Sequence, residues 1–222
     1  MGNAAPARAQ ALRITRTDAC GVPVDEAVAN SRVTTAGFIT VGLGADVFTS
    51  SDIQVAAASG AICVRSKGIP SLLGYNVTIQ LCDFNLAVLE MTQGITLLDD
   101  GGAPAEDIGG VITATGAFNA NTVMVEWFSN NENQDACAAG NAYLHFVLPR
   151  VSRWTISGNT DFGDTATLIT LSGYADPTQA FAASRAADEW TAADITAINN
   201  DGVLAWKEVA ALPTVVTSGY DA

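Results

Sequence analysis

Any chemistry in this chain would rest on one histidine and a few pairs of acids. His145 is the single histidine among 222 residues. It lies in AYLHFVLP, on a strand face shared with Tyr143 and Val147, and its sequence neighbours offer no acid or nucleophile. One imidazole cannot build the multi-histidine sites that hold catalytic metals, and no GxSxG, HExxH or GxxxxGK[ST] pattern occurs. His145 is therefore read as a structural or interface residue. The acid doublets Asp99–Asp100, Glu106–Asp107 and Asp188–Glu189 sit in Gly-rich or Ala-rich stretches, where solvated charge is the expectation. A glycosidase needs two carboxyls roughly 5–9 Å apart across a cleft, and nothing in their spacing imposes that. No enzymatic constellation emerges.

One metal pattern needs weighing. Residues 197–208, AINNDGVLAWKE, match a calcium-binding EF-hand loop at Asn199, Asp201, Gly202 and Glu208. The first position, which must supply Asp, holds Ala197, and the following residues look like a strand. A tight turn at Asp201–Gly202 accounts for the same letters, so no metal or cofactor is expected. The four cysteines, Cys20, Cys63, Cys82 and Cys137, have no CxxC spacing. They allow three disulfide connectivities, but free thiols are favoured if the chain is made in a cytoplasm. If the strands at 61–66 and 75–83 form a hairpin about residue 70, Cys63 falls opposite roughly residue 78, away from Cys82.

The elements that would position these residues are mostly strands. Tyr75, Val77, Ile79 and Leu81 alternate with Asn76, Thr78, Gln80 and Cys82, the period of a half-buried strand. The period then changes to a short helix over about 83–93, with Asp83 as its cap, Leu86 and Leu89 inward, and Gly94 as its stop. Residues 33–47 form a long strand in which Gly42 and Gly44 suggest a bulge or close backbone approach. Residues 48–52 read as a turn or loop tip, and 53–57 return as a strand. Further strands are expected at 13–20, 61–66, 111–115, 122–129, 142–148, 152–157, 166–171 and 203–210, with a break at Pro149. Residues 99–110 read as a loop, and 178–193 have helical propensity. The class is mainly β, a sandwich or barrel with one helix.

Domain organisation follows from composition. Residues 1–12 are Ala-rich and aperiodic and read as a flexible arm; residues 13–222 form a single β domain, with 178–222 as a C-terminal extension. Charged residues make up only 15% of the chain, against roughly 25% in typical domains, which suits a surface covered by neighbours. Net charge is −13. Residues 1–17 carry Arg8, Arg13 and Arg16 and no acid, while the other 205 residues carry 7 basic and 23 acidic groups. An acidic body argues against ordinary nucleic-acid binding, which needs cations to neutralise phosphates. No secretory signal or membrane-spanning stretch is visible, so no membrane partner is expected.

Four blocks carry a family resemblance: RITRTDACGVPV, GAICVRSKGIPSLLGYNVTIQLCDFNLAVLEMTQG, YLHFVLPRVSRWTISG and TATLITLSGYA. In order and spacing they resemble the major tail proteins of long-tailed phages, especially those of actinobacterial hosts, across roughly residues 13–175. The resemblance implies a tail-tube fold of two packed β-sheets with a flanking helix. It also implies six copies per ring, rings stacked into a hollow tail tube, and DNA ejected through the lumen without specific binding. Partners would be other copies of the chain and the tape-measure and tail-terminator proteins. The location would be the virion tail, after synthesis in the host cytoplasm. Inter-subunit contacts are expected from Arg8, Arg13 and Arg16 on the arm, from Val47, Phe48 and Asp52 towards the next ring, and from the polar face of Asn76, Thr78 and Gln80. The alternative is a monomeric or cell-surface β-sandwich that binds sugar or protein as an adhesion module.

Overall fold

Alternating and wholly apolar runs both become strands here, and the difference between them sets the layers. A computed structural model describes residues 6–18, 21–25, 28–56, 58–59, 62–83, 85–99, 101, 107–111, 122–132, 142–156, 168–177, 190–199, 202–215 and 220. Its elements are β1 (Pro6–Arg16), β2 (Arg32–Thr35), β3 (Phe38–Thr49), β4 (Ile53–Ala56), β5 (Ile62–Ser66), β6 (Pro70–Leu81), α1 (Leu86–Gln93), β7 (Thr96–Asp99), β8 (Asp107–Val111), β9 (Val123–Asn131), β10 (Tyr143–Ile156), β11 (Ile169–Ala175), α2 (Ala192–Asn199) and β12 (Ala205–Val209). The chain is mainly β, as expected.

Eight strands hydrogen-bond into one antiparallel sheet, ordered β2-β1-β9-β10-β11-β6-β3, with β12 also on β10. The main strands thus form one continuous path, and the two further sheets, β4-β5 and β7-β8, are two-stranded. β1 and β3 touch although four strands separate them along the path, so the sheet curls. Inside the curl, α1 packs on β1 and β10. The core joins Leu12, Ile14, Val77, Ile79, Leu81, Val125, Leu148 and Trp154 to Leu89 and Met91 of α1. Each such side chain contributes roughly 1.5–3 kcal/mol on burial. An isolated eight-residue helix would be marginal; tertiary burial of Ala87, Val88, Leu89, Met91 and Thr92 holds this one.

β9 is apolar on both sides because both sides are covered. Val123, Val125 and Trp127 face the main core. Met124 faces a second cluster with Val147, Trp190, Ile195 and Ile198, supplied partly by α2. Phe128 joins Ala11 and Val209 in a third. The C-terminal segment is therefore the second layer over the middle of the sheet.

Several expectations are corrected. Residues 6–12 are not a loose arm: they belong to β1, paired along β9, with Ala11 and Leu12 fully buried. Their aperiodicity reflects two bulges, between Ala7 and Ala9 and between Ala9 and Ala11, with Arg8 at φ 48°. Pro149 does not end a strand. β10 runs through it, and the missing N–H falls in the register shift between Leu148 and Val151. Asn85, not Asp83, caps α1, its side-chain oxygen accepting from the Val88 amide at 3.2 Å; Gly94 closes the helix at φ 61°, as expected. Part of 99–110 is strand, with β7 and β8 in a hairpin that pairs Leu97 with Gly110. The helix expected over 178–193 falls almost wholly outside the described residues, and the helix observed is α2, at 192–199.

α2 has a reciprocal start that TAAD signals in sequence. Thr191 Oγ1 accepts from the Asp194 amide at 3.2 Å, and Asp194 Oδ2 accepts from the Thr191 amide at 2.9 Å. Hydrogen bonds to the Asp194 carboxylate, first from the Thr191 backbone amide and then from the Thr191 side chain, hold that carboxyl below its ordinary value. Because the folded pKa is depressed, the contribution is complete above the unfolded value and is lost as pH falls through the folded one. Acid titration is expected to release α2 before the main sheet, seen as a tryptophan fluorescence change that precedes the loss of far-UV dichroism and is absent from Trp190→Phe; Asp194→Asn should remove that separation.

At the centre of the sheet, a bulge between Ser152 and Thr155 turns Trp154 into the core and Arg153 outward at φ 57°. The indole lies under Gly173, where a Cβ would come within 2.9 Å of the ring. Gly173→Ala is expected to cost about 1–3 kcal/mol by overpacking, measured as a shift in urea midpoint with unchanged slope.

Candidate functional site

Among the described residues, most of the exposed large apolar side chains lie on a β-ribbon. β3 and β6 pair from Phe38–Leu81 outward to Thr49–Pro70, and β4 and β5 extend the hairpin from Ile53–Ser66 to Ala56–Ile62. Near the body the polypeptide alternates: Val77, Ile79 and Leu81 are buried, and Asn76 and Thr78 are exposed. Beyond Gly74 both faces are open, so Ser71, Leu72 and Leu73 are all exposed, as is every residue of β4. Phe48 is 57% exposed, Ile53 58% and Ile69 77%. Within β4-β5, Val55 and Val64 are register partners, and Ile53 shares their face by the two-residue period. Gln54 and Arg65 pair on the opposite face. The extension is amphipathic, and its apolar side is unpartnered among the described residues.

A two-stranded ribbon is marginal alone in water. A long one with a contiguous apolar side marks an interaction surface. Its charge differs from the body's. Residues 47–73 carry Arg65 and Lys67 against Asp52, whereas the other 195 residues carry 8 basic and 22 acidic groups.

The sequence-selected residues divide. Val47 and Phe48 do lie on the ribbon, but 48–52 is not its tip: Phe48 and Thr49 belong to β3, and the chain continues outward through β4. Asp52 braces the joint between the two halves, accepting from the Gly68 amide at 2.8 Å. A Cβ at Gly68 would overlap the Ser50 carbonyl, so glycine is required there. Asn76, Thr78 and Gln80 lie on one outward face between Gly44, Gly42 and Thr40 of β3 and Tyr174, Ser172 and Thr170 of β11. No charged residue interrupts these positions. Gly42 and Gly44 mark no bulge; the shifts in β3 lie at Phe38/Thr40 and Asp46/Val47. A Cβ at either glycine would meet only ordinary contacts at 3.8 Å, so their own chain does not demand them and their effect is a flat surface.

Of the arginines expected to reach a neighbour, Arg8 is exposed, but two are engaged at home. Arg16 Nη2 lies 2.7 Å from Glu90 Oε1 and donates to the Tyr220 hydroxyl at 2.9 Å; that hydroxyl in turn donates to Glu90. This ties β1, α1 and the C-terminal region together. Arg13 is buried and makes a two-point bond with Glu126, Nε to Oε2 and Nη2 to Oε1, each 2.8 Å.

His145 has an acid after all, supplied by the adjacent strand: its Nε2 lies 3.0 Å from Glu126 Oε1. The imidazole stacks on Phe128 with ring centroids 4.2 Å apart and tilts against Trp190. Sequence separation hid this contact; the β1-β9 register sets Arg13 beside Glu126, and the β9-β10 register sets His145 one diagonal away. Chemically the cluster resembles an acid–base pair, but His145 is fully buried and Glu126 almost so. In this structure the cluster is closed to solvent and links β1, β9 and β10 through their buried polar side chains.

The calcium-like pattern is dispersed. Residues 197–199 are helical, Asp201 lies outside the described residues, and Glu208 is on β12, 3.5 Å from Asn131 Nδ2. The Gly202 amide donates to the Ile198 carbonyl near the end of α2, and the Asp201 half of the expected turn lies outside the described residues. Among the described residues no group of three His, Cys, Asp or Glu side chains is placed to hold a metal ion. Of the acid doublets, Asp99 and Asp107 are register partners across β7-β8, while Asp100, Glu106, Asp188 and Glu189 lie outside the described residues. Cys82 is an exposed free thiol. β5 pairs with β4 rather than β6, so Cys63 does not sit opposite residue 78; Cys20 and Cys137 lie outside the described residues. No helix among the described residues is long and apolar enough to cross a membrane. No family model matches this chain, and no curated protein matches it.

Proposed function

We propose that this protein is a structural subunit that self-assembles into stacked, hexameric rings forming the tail tube of a long-tailed phage, an acidic conduit for DNA ejection. The observation that carries the reading is the exposed amphipathic ribbon. Its apolar side needs a cover, its cations suit an acidic partner, and the rest of the chain carries the acidic excess. A second copy therefore satisfies both requirements at once. The block resemblance across residues 13–175 supports the specific form of assembly, and with it a tail-tube sandwich or barrel of two packed sheets with a flanking helix, and the tape-measure and terminator proteins as end partners. The acidic excess suits a lumen that repels phosphates, so DNA slides rather than sticks.

The test is negative-stain microscopy of concentrated protein with sedimentation across a dilution series. Regular tubes roughly 10 nm wide are expected, from sheets ~10 Å apart around a lumen wider than duplex DNA. A compact monomer at every concentration would remove the assembly reading. It would favour the adhesion module, for which Trp206, 61% exposed on strand β12, is the supporting feature.

A further inference from the structure

The ribbon leaves the body at a built corner. At its root, between Asp46 and Val47, β3 has a register shift against β6. Tyr174 of β11 leans across β6 at this level, and its hydroxyl donates to Asp46 Oδ2 at 2.8 Å. The strand it crosses carries Gly74, where a Cβ would stand 2.8 Å from the phenol oxygen and overlap the Ala175 carbonyl. Only glycine leaves room for this crossing. From the other side, Arg153 is held at φ 57° by the β10 bulge, its guanidinium 5.3 Å from the centre of the Tyr174 ring. Ser152, in the same bulge, donates to Asp176 Oδ2 at 3.0 Å. One line of side chains therefore runs from β10 through β11 and over β6 to β3, and it ends where the paired strands lose their cover.

We infer that Tyr174 and Asp46 form a latch that fixes the direction in which the ribbon leaves the body, so that the ribbon meets its partner copy preset rather than searching. The inference rests on the ribbon being the assembly element. A two-stranded ribbon anchored only by its own ladder would swing at the bulge, and only a fraction of its orientations would dock. A latch removes that loss before binding. The charged groups around the phenol are Asp46, Asp176 and Arg153; the bond to Asp46 is the main cause that raises the Tyr174 pKa above its ordinary value.

The experiment compares the full-length protein with Tyr174→Phe, Asp46→Ala and Asp46→Asn. Hydrogen exchange is measured on dilute monomer, and assembly is followed by light scattering. Tyr174→Phe and Asp46→Ala are expected to speed exchange about tenfold at residues 47–49 and 71–73 with no change at 124–128. Both should also slow assembly about tenfold. Asp46→Asn keeps an acceptor oxygen and is expected to restore wild-type behaviour. Wild-type protection in Tyr174→Phe, or equal loosening across the body, would overturn the latch. If exchange responds as expected but the wild-type protein never assembles, the latch stands and the tube reading falls.

Discussion

Aspartate at both Val55 and Val64 is expected to abolish assembly while leaving the monomer folded. The two valines face each other across β4-β5 and are each about half exposed. In the monomer their replacement removes little burial, and exposed substitutions usually stay within about 0.5 kcal/mol. In an assembly the same positions would be covered. Each contact would then lose roughly 1.5–3 kcal/mol of apolar burial per side chain and bury a carboxylate besides. Two such losses at every contact amount to about a hundredfold or more in association from the apolar term alone. Sedimentation and thermal unfolding check both halves. Tubes from the double variant at wild-type concentrations would show that the ribbon is not the assembly element. Val55→Ile should assemble normally, since it keeps the apolar face.

Removing Glu126 is expected to produce the largest loss of stability of any single side chain in the sheet's polar interior. The carboxylate holds both the Arg13 guanidinium and His145 Nε2, with all three groups withdrawn from water. Glu126→Ala removes the carboxylate from a buried cation, and breaking a buried pair in this way costs about 3–5 kcal/mol. For a chain of this size that lowers Tm by about 6–20 °C. Replacing Arg13, Glu126 and His145 together with apolar residues of similar volume should recover most of the loss, because the pair's net contribution is small once desolvation is counted. A single Glu126→Ala variant within about 1 kcal/mol of wild type would mean that Arg13 finds another acceptor. Neither change removes an apolar contact of the ribbon. A defect in assembly at temperatures where the variants stay folded would therefore implicate the network in more than stability.

Legibility in the sequence followed burial. Where one face is covered and the other wet, as in β6, alternation gives the strand, its inward side and its outward side. Where both faces are covered, as in β9, apolarity identifies a central strand but not what covers it. Only the end of β1, from Arg13, is legible; its first half is hidden because two bulges break the period that would reveal it. α2 was missed because its strongest signal is the Thr191–Asp194 start, not a stripe. Val47 and Phe48 lie on a hairpin that runs past residues 48–52, where Ser50–Ser51 reads as a turn in sequence but the strands continue as β4 and β5.

The sequence by itself determined the β class, the inward face of β6, the stop of α1 at Gly94, and the acidic excess with its few cations. These depend on local period, on a single glycine's freedom, or on counting. Only the tertiary structure decided that Arg13, Glu126 and His145 meet, that Tyr174 reaches Asp46, and that β4-β5 projects with its apolar side uncovered. Those facts depend on register between distant strands. A register is fixed by the summed packing of whole faces, so no short stretch of sequence contains it.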